Sequence, residues 1–127
     1  MSFKIITATE AKVGTNIIID GSACTVKSMD VSKTGKHGHA KVRIEAVGIL
    51  DGKKKVIVVP GHERLEVPHI EKRKAQILNV SGKNANIMDL ESFETLDVEI
   101  EEGITVGEGD QVEYWKIKDS KIIKRKF

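Results

Sequence analysis

The chain has 127 residues, 39% of them hydrophobic and 31% charged, with a formal net charge of +2; that balance fits a folded globular protein and argues against disorder. The length allows one ordinary domain or two very small ones, and no apolar run approaches the roughly 20 residues needed to span a bilayer. The first residues, Met1-Ser2-Phe3-Lys4-Ile5-Ile6-Thr7, lack the apolar core of a secretion signal, and Cys24, the one cysteine, rules out an intrachain disulfide and argues against a cysteine-based zinc site. Cytoplasmic residence without membrane association is the expectation.

Almost no helix is expected. Asn16-Ile17-Ile18-Ile19 runs into Asp20-Gly21, a strong turn pair, and residues 22–29 read as the next strand, with Cys24 and Val26 among polar neighbours. Cys24 reads as a small buried hydrophobe rather than a reactive thiol. Further on, Val42, Ile44 and Ala46 alternate with Arg43, Glu45 and Val47, the period of two that marks a half-buried strand. Ile49-Leu50 precedes a second turn pair, Asp51-Gly52. Lys55-Val56-Ile57-Val58-Val59 before Pro60-Gly61 reads as a buried strand followed by a breaker.

Pro68 restricts Val67 to extended geometry and stiffens a connection. The domain boundary is placed there, giving residues 1–68 and 69–127. Beyond it, Lys74 to Val80, Asn84 to Leu90, Phe93 to Ile100, Gln111 to Lys118 and Lys121 to Lys126 are five plausible strands. Short strands with frequent turn signals suggest small barrels or sandwiches. Five strands in this stretch are compatible with an OB-type barrel, though spacing alone leaves other β architectures open.

The modest net charge hides an uneven distribution. Residues 1–70 hold 11 Lys and Arg against 7 Asp and Glu, or +4, whereas residues 71–127 hold 10 against 12, or −2. Lys27, Lys33, Lys36, Lys41 and Arg43 face a single acid, Asp30, between Lys27 and Arg43. Local charge decides contact with phosphates, because salt screens exposed charges beyond about 8 Å. The stretch from Asp89 to Glu113 has 10 acids and no Lys or Arg, which would repel a phosphate backbone. The basic segment Lys116 to Lys126 reads either as an RNA contact or as a solvated edge strand protected by charge. Tyr114-Trp115 invites a base-stacking reading, but a single Trp in a small barrel more often belongs to the core.

The most informative stretch is Ser32-Lys33-Thr34-Gly35-Lys36-His37-Gly38-His39-Ala40-Lys41. It sets Lys36 beside two glycines that allow a tight turn and close approach by another protein. Such a lysine is a general phosphate contact or the target of a modifying enzyme. It fails as a phosphate-binding P-loop, which needs a glycine at position 30 and Ser or Thr after the lysine, where this chain has Asp30 and His37. His37 and His39 are too few for zinc, which wants four ligands, and no nearby Cys or carboxylate cluster completes the set. No metal is therefore expected. No nucleophile elbow, zinc-protease or dinucleotide fingerprint is present, so an enzyme is not expected either.

Residues 32–41 closely resemble the modification loop of the translation initiation factor 5A family of archaea and eukaryotes, related to bacterial elongation factor P. Residues 40–54 resemble the family's next strand and turn, and Val67 to Ile77 its interdomain connection. The resemblance implies an N-terminal SH3-like barrel carrying the loop and a C-terminal OB-fold. It further implies that Lys36 receives a spermidine-derived aminobutyl group from deoxyhypusine synthase, becoming deoxyhypusine or hypusine, with no other cofactor bound. Gly35, His37 and Gly38 would shape the loop for that enzyme, while Lys33, Lys36, His39 and Lys41 would contact phosphate. The implied partners are the ribosome, both rRNA and ribosomal proteins, and peptidyl-tRNA. The implied role is promotion of peptide-bond formation at stalled sequences such as consecutive prolines. An unmodified RNA-binding or ribosome-associated structural module using the same cationic loop is the alternative.

Overall fold

The computed structural model describes residues 4–33 and 40–127. They are built almost wholly of strands, with one 3-10 turn at Ala8–Glu10. They form two compact units, one reaching His69 and the other spanning Ile70–Phe127. No helix among the described residues is long and apolar enough to cross a membrane.

The first unit contains β1 (Lys4–Thr7), β2 (Asn16–Ile19), β3 (Ser22–Ser32), β4 (Lys41–Gly48), β5 (Lys54–Pro60) and β6 (Arg64–Val67). Strands β2-β3-β4-β5 form an antiparallel sheet in that order, and β1 pairs with β6 in a second. This is the SH3-like barrel. Asp20 and Gly21 both adopt positive φ, 50° and 79°, between the paired residues Ile19 and Ser22. That is the backbone of a two-residue hairpin whose twist matches its strands. Val42, Ile44 and Ala46 point into a core shared with Ile6, Ile17, Ile19, Cys24, Val26 and Leu65.

The second unit contains β7 (Glu71–Ser81), β8 (Asn84–Asp89), β9 (Thr95–Ile100), β10 (Gln111–Ile117) and β11 (Ser120–Lys126). They close into a barrel, β10-β11-β9-β8-β7, with β7 pairing back onto β10. All neighbours are antiparallel except β9 and β11. A five-stranded barrel in this order, closed by a parallel pairing of its third and fifth strands, is the OB-fold. Ala75, Ile77, Ala85, Ile87, Val98, Val112, Tyr114 and Ile123 fill it.

Four expectations need correction. Strand β5 is not buried: it lies at the end of its sheet, with Ile57 and Val59 packed inward but Val56 and Val58 45% and 60% exposed. Phe93 does not open a strand. It sits in the β8–β9 turn at φ 60°, 70% exposed, because the Asp89 carboxylate accepts from the amides of Glu91 and Ser92 and turns the chain there. Trp115 is not core; its inward neighbour Tyr114 is, and the period of two puts the indole outside. Finally, β11 is no edge strand, being paired on both sides.

Candidate functional site

The β3–β4 ladder ends with Ser32 opposite Lys41, so residues 33–40 form its connection. Gly35, Lys36, His37, Gly38 and His39 fall at positions 34–39, outside the described residues. Both feet of the loop are described. Lys33 follows β3 and Lys41 opens β4; both are exposed, and neither makes an ion pair among the described residues.

The register explains how the ladder carries those feet away from the core. It steps from Val26 opposite Ala46 to Ser28 opposite Glu45, leaving Lys27 unpaired in a bulge. A bulge adds local twist and shifts which side chains face inward. Met29 still packs on the core, but Asp30, Val31 and Ser32 are all exposed. This end of β3 therefore stands clear of the barrel.

The second foot is anchored. Gly61 N–H donates to the Ala40 carbonyl at 2.9 Å, and Thr9 N–H reaches the Gly61 carbonyl at 3.4 Å. Ala8 N–H donates to the Glu63 carbonyl at 2.9 Å. A Cβ on Gly61 would meet Thr9 Cγ2 at 3.1 Å and the Ala40 Cβ at 3.5 Å, so a side chain there would press on both neighbours. The 3-10 turn and the β5–β6 turn thus fix where the loop rejoins β4. Sequence reading registered Pro60-Gly61 only as a breaker and gave Thr9 no role. The glycine was the available signal; its partners are distant in sequence.

Charge near the feet is cationic. Glu45, on the outer side of β4, accepts from Ser28 Oγ at 3.0 Å and pairs with Arg43 at 3.1 Å and Lys54 at 3.3 Å. The Ser28 hydroxyl first, then Lys54 and Arg43, hold its carboxyl below the usual range. Its charge is therefore satisfied locally, and Asp30 lies opposite Arg43 in register. Among the described residues, Lys33 and Lys41 are exposed and have no ion-pair partner. An ordinary lysine amine loses its proton only near pH 10.4.

Cys24 does not contribute. It is fully buried, its thiol donates weakly to the Ser22 carbonyl at 3.4 Å, and burial pushes its pKa up, away from the reactive thiolate.

Comparison with known proteins follows the same outline. Residues 4–63 match the family described as translation initiation factor 5A-like, N-terminal. Translation initiation factor 5A of Pyrobaculum aerophilum is 45% identical, over 99% of this chain and 96% of its own. The Thermococcus kodakarensis protein of the same name is 47% identical over 83% of this chain and 82% of its own. The solved structure described as eukaryotic translation initiation factor 5A from Methanococcus jannaschii superposes with a TM-score of 0.88 at 40% identity, covering 98% of this chain and 95% of its own.

Proposed function

We propose that this chain, which belongs to the translation initiation factor 5A family, works on the ribosome through a lengthened Lys36. The observation that carries the reading is a sequence one. The Thr34-Gly35-Lys36-His37-Gly38 core falls within the single connection between Ser32 and Lys41, at the end of a ladder that stands clear of the core.

Deoxyhypusine synthase forms a bond from Lys36 Nζ to the aminobutyl group of spermidine; the C–N bond that joined this group to the rest of spermidine breaks, and 1,3-diaminopropane leaves with the proton that Nζ gives up. The product carries two amines along a thin flexible rod. Such a rod enters a crevice lined by phosphates and sugar hydroxyls that no barrel can enter. At the acceptor end of peptidyl-tRNA it acts by positioning and electrostatics, favouring the aligned geometry for peptide-bond formation when the nascent chain, as at consecutive prolines, aligns badly. The factor is not an enzyme in this reading: no bond of the substrate forms to its side chains. Gly35, His37 and Gly38 serve recognition by the synthase, while Lys33, His39 and Lys41 contact rRNA or tRNA phosphate. Cytoplasmic residence goes with this role.

Peptide mass spectrometry of protein from its native host tests the proposal. An aminobutyl addition on Lys36 is expected; unmodified Lys36 throughout would overturn it.

A further inference from the structure

The outer side of β7, β10 and β11 carries an arrangement that the loop does not explain. Trp115 lies outside the barrel, with Lys72 Nζ 4.7 Å and Lys124 Nζ 5.1 Å from its ring centroid. Phe127, 52% exposed, lies beneath Lys74 Nζ at 5.3 Å and the Arg125 guanidinium at 5.2 Å. The register puts these groups on one face: Lys72 opposes Trp115, Lys74 opposes Glu113, and Glu113 opposes Arg125. Glu113 is taken up internally, accepting the Trp115 indole N–H at 2.9 Å and pairing with Arg125 at 3.5 Å. Lys124 is likewise engaged, by Glu101 at 2.7 Å. Lys72 and Lys74 are exposed and have no ion pair among the described residues.

The side formed by β8 and β9 is the face on which OB barrels ordinarily hold oligonucleotides. Here it presents Asp97 and Glu99, both exposed, and repels phosphate. Cations and aromatic rings are gathered instead on β7, β10 and β11. We infer that this face, rather than the usual one, binds a short single-stranded RNA segment: Lys72 and Lys74 take backbone phosphates, and bases stack on Trp115 and Phe127. Charge complementarity selects the polyanion, and the rings select one with unpaired bases. In the free protein Lys72 covers Trp115 and Lys74 covers Phe127, and on binding these ammonium groups leave the ring faces to the bases and move to the adjoining phosphates. The inference takes from the proposed function only the class of ligand, RNA.

Trp115 is the sole tryptophan and reports its own contact. Full-length protein with unmodified Lys36 is titrated with a single-stranded oligouridylate, following tryptophan emission at low and high salt. Quenching is expected, with affinity falling as salt rises. Phe127→Ala should weaken binding about tenfold and Lys72→Ala severalfold, both keeping the urea midpoint of the parent. Lys36→Ala should bind as the parent does, which separates this surface from the loop; failure of Lys36 modification in the native host leaves the titration untouched. Absence of quenching overturns the inference. So does equal binding of duplex RNA without quenching, which would mean phosphate contact alone. Equal quenching by polyglutamate would point to an acidic protein partner instead, and loss of binding in Lys36→Ala would move the RNA contact to the loop.

Discussion

The Tyr114 hydroxyl donates to the Asp89 carboxylate inside the C-terminal barrel, where both side chains are almost wholly buried. Arg73 completes the cluster, its Nε 2.6 Å and its Nη2 3.2 Å from the two carboxylate oxygens. The amides of Glu91 and Ser92 donate to the same carboxylate at 2.8 and 3.0 Å. One side chain therefore ties β7, β8, β10 and the β8–β9 turn together. Removing it strands a phenol and two amides and takes from Arg73 its shortest ion pair, leaving it only Glu91 at 3.3 Å and Glu71 at 3.7 Å. Asp89→Ala should lose about 3–5 kcal/mol, and Tyr114→Phe about 1.5 kcal/mol, both read from urea unfolding. A Tyr114→Phe variant as stable as the parent would show the bond to be idle.

The same cluster sets two limits on pH. Arg73, with help from Tyr114 and the two amides, holds the Asp89 carboxyl well below the usual carboxylate range. Unfolded Asp titrates near 3.9, so its contribution is full above about pH 4 and is lost as pH falls toward the folded value. Burial and the neighbouring carboxylate push Tyr114 up to about 12. Unfolded Tyr titrates near 10, so this contribution is full below about pH 10 and is lost as pH rises toward 12. Urea midpoints should fall at both extremes; Tyr114→Phe should flatten the alkaline limb and, by removing one donor to Asp89, weaken the acid limb to a smaller extent.

Gly61 tests the anchoring of the loop. Gly61→Ala places a methyl 3.1 Å from Thr9 Cγ2 and should cost about 1 kcal/mol as overpacking. Thr9→Ser removes that methyl while keeping the hydroxyl that meets Thr7 at 3.1 Å. The double variant should regain most of the loss. Additive losses on urea unfolding would show that the two residues do not meet as described.

Lys36 separates charge from chemistry. Lys36→Ala should leave the unfolding midpoint unchanged yet abolish rescue of polyproline synthesis in a reconstituted translation assay. Lys36→Arg keeps the charge but cannot be aminobutylated, and should fail as well. A fully active Lys36→Arg would favour an unmodified cationic module.

How far the sequence was readable depended on the range of the determining contact. The alternation of Val42, Ile44 and Ala46 is a property of adjacent residues, and so is the positive-φ pair Asp20-Gly21; both appear in the fold as read. Strands β1 and β6 gave no periodic signal, being four residues each, and exist through pairing across some 60 positions, Lys4 with Val67. The run Lys55 to Val59 is apolar enough to pass for buried; only its place in the strand order exposes Val56 and Val58. The motif singles out Lys36, the residue proposed to be modified, at a position outside the described residues. Gly61 and Thr9, which hold the Ala40 foot, stayed hidden because their value lies in a distance of a few ångströms, not in a pattern.

Closure of the second barrel has a consequence for misassembly. With β7 joined to β10 and β11 set between β10 and β9, that ring leaves an intruding polypeptide little unpaired ladder beyond the short β9–β11 seam, joined at Ile122 and Ile123. The four-stranded sheet does end, and β5 has a strand neighbour on one flank only. Lys54, Lys55 and Pro60 sit along it as deterrents to amyloid-like stacking. Exchanging those lysines for apolar residues would turn the segment around Val56 and Val58 into the seed from which heated protein first polymerises.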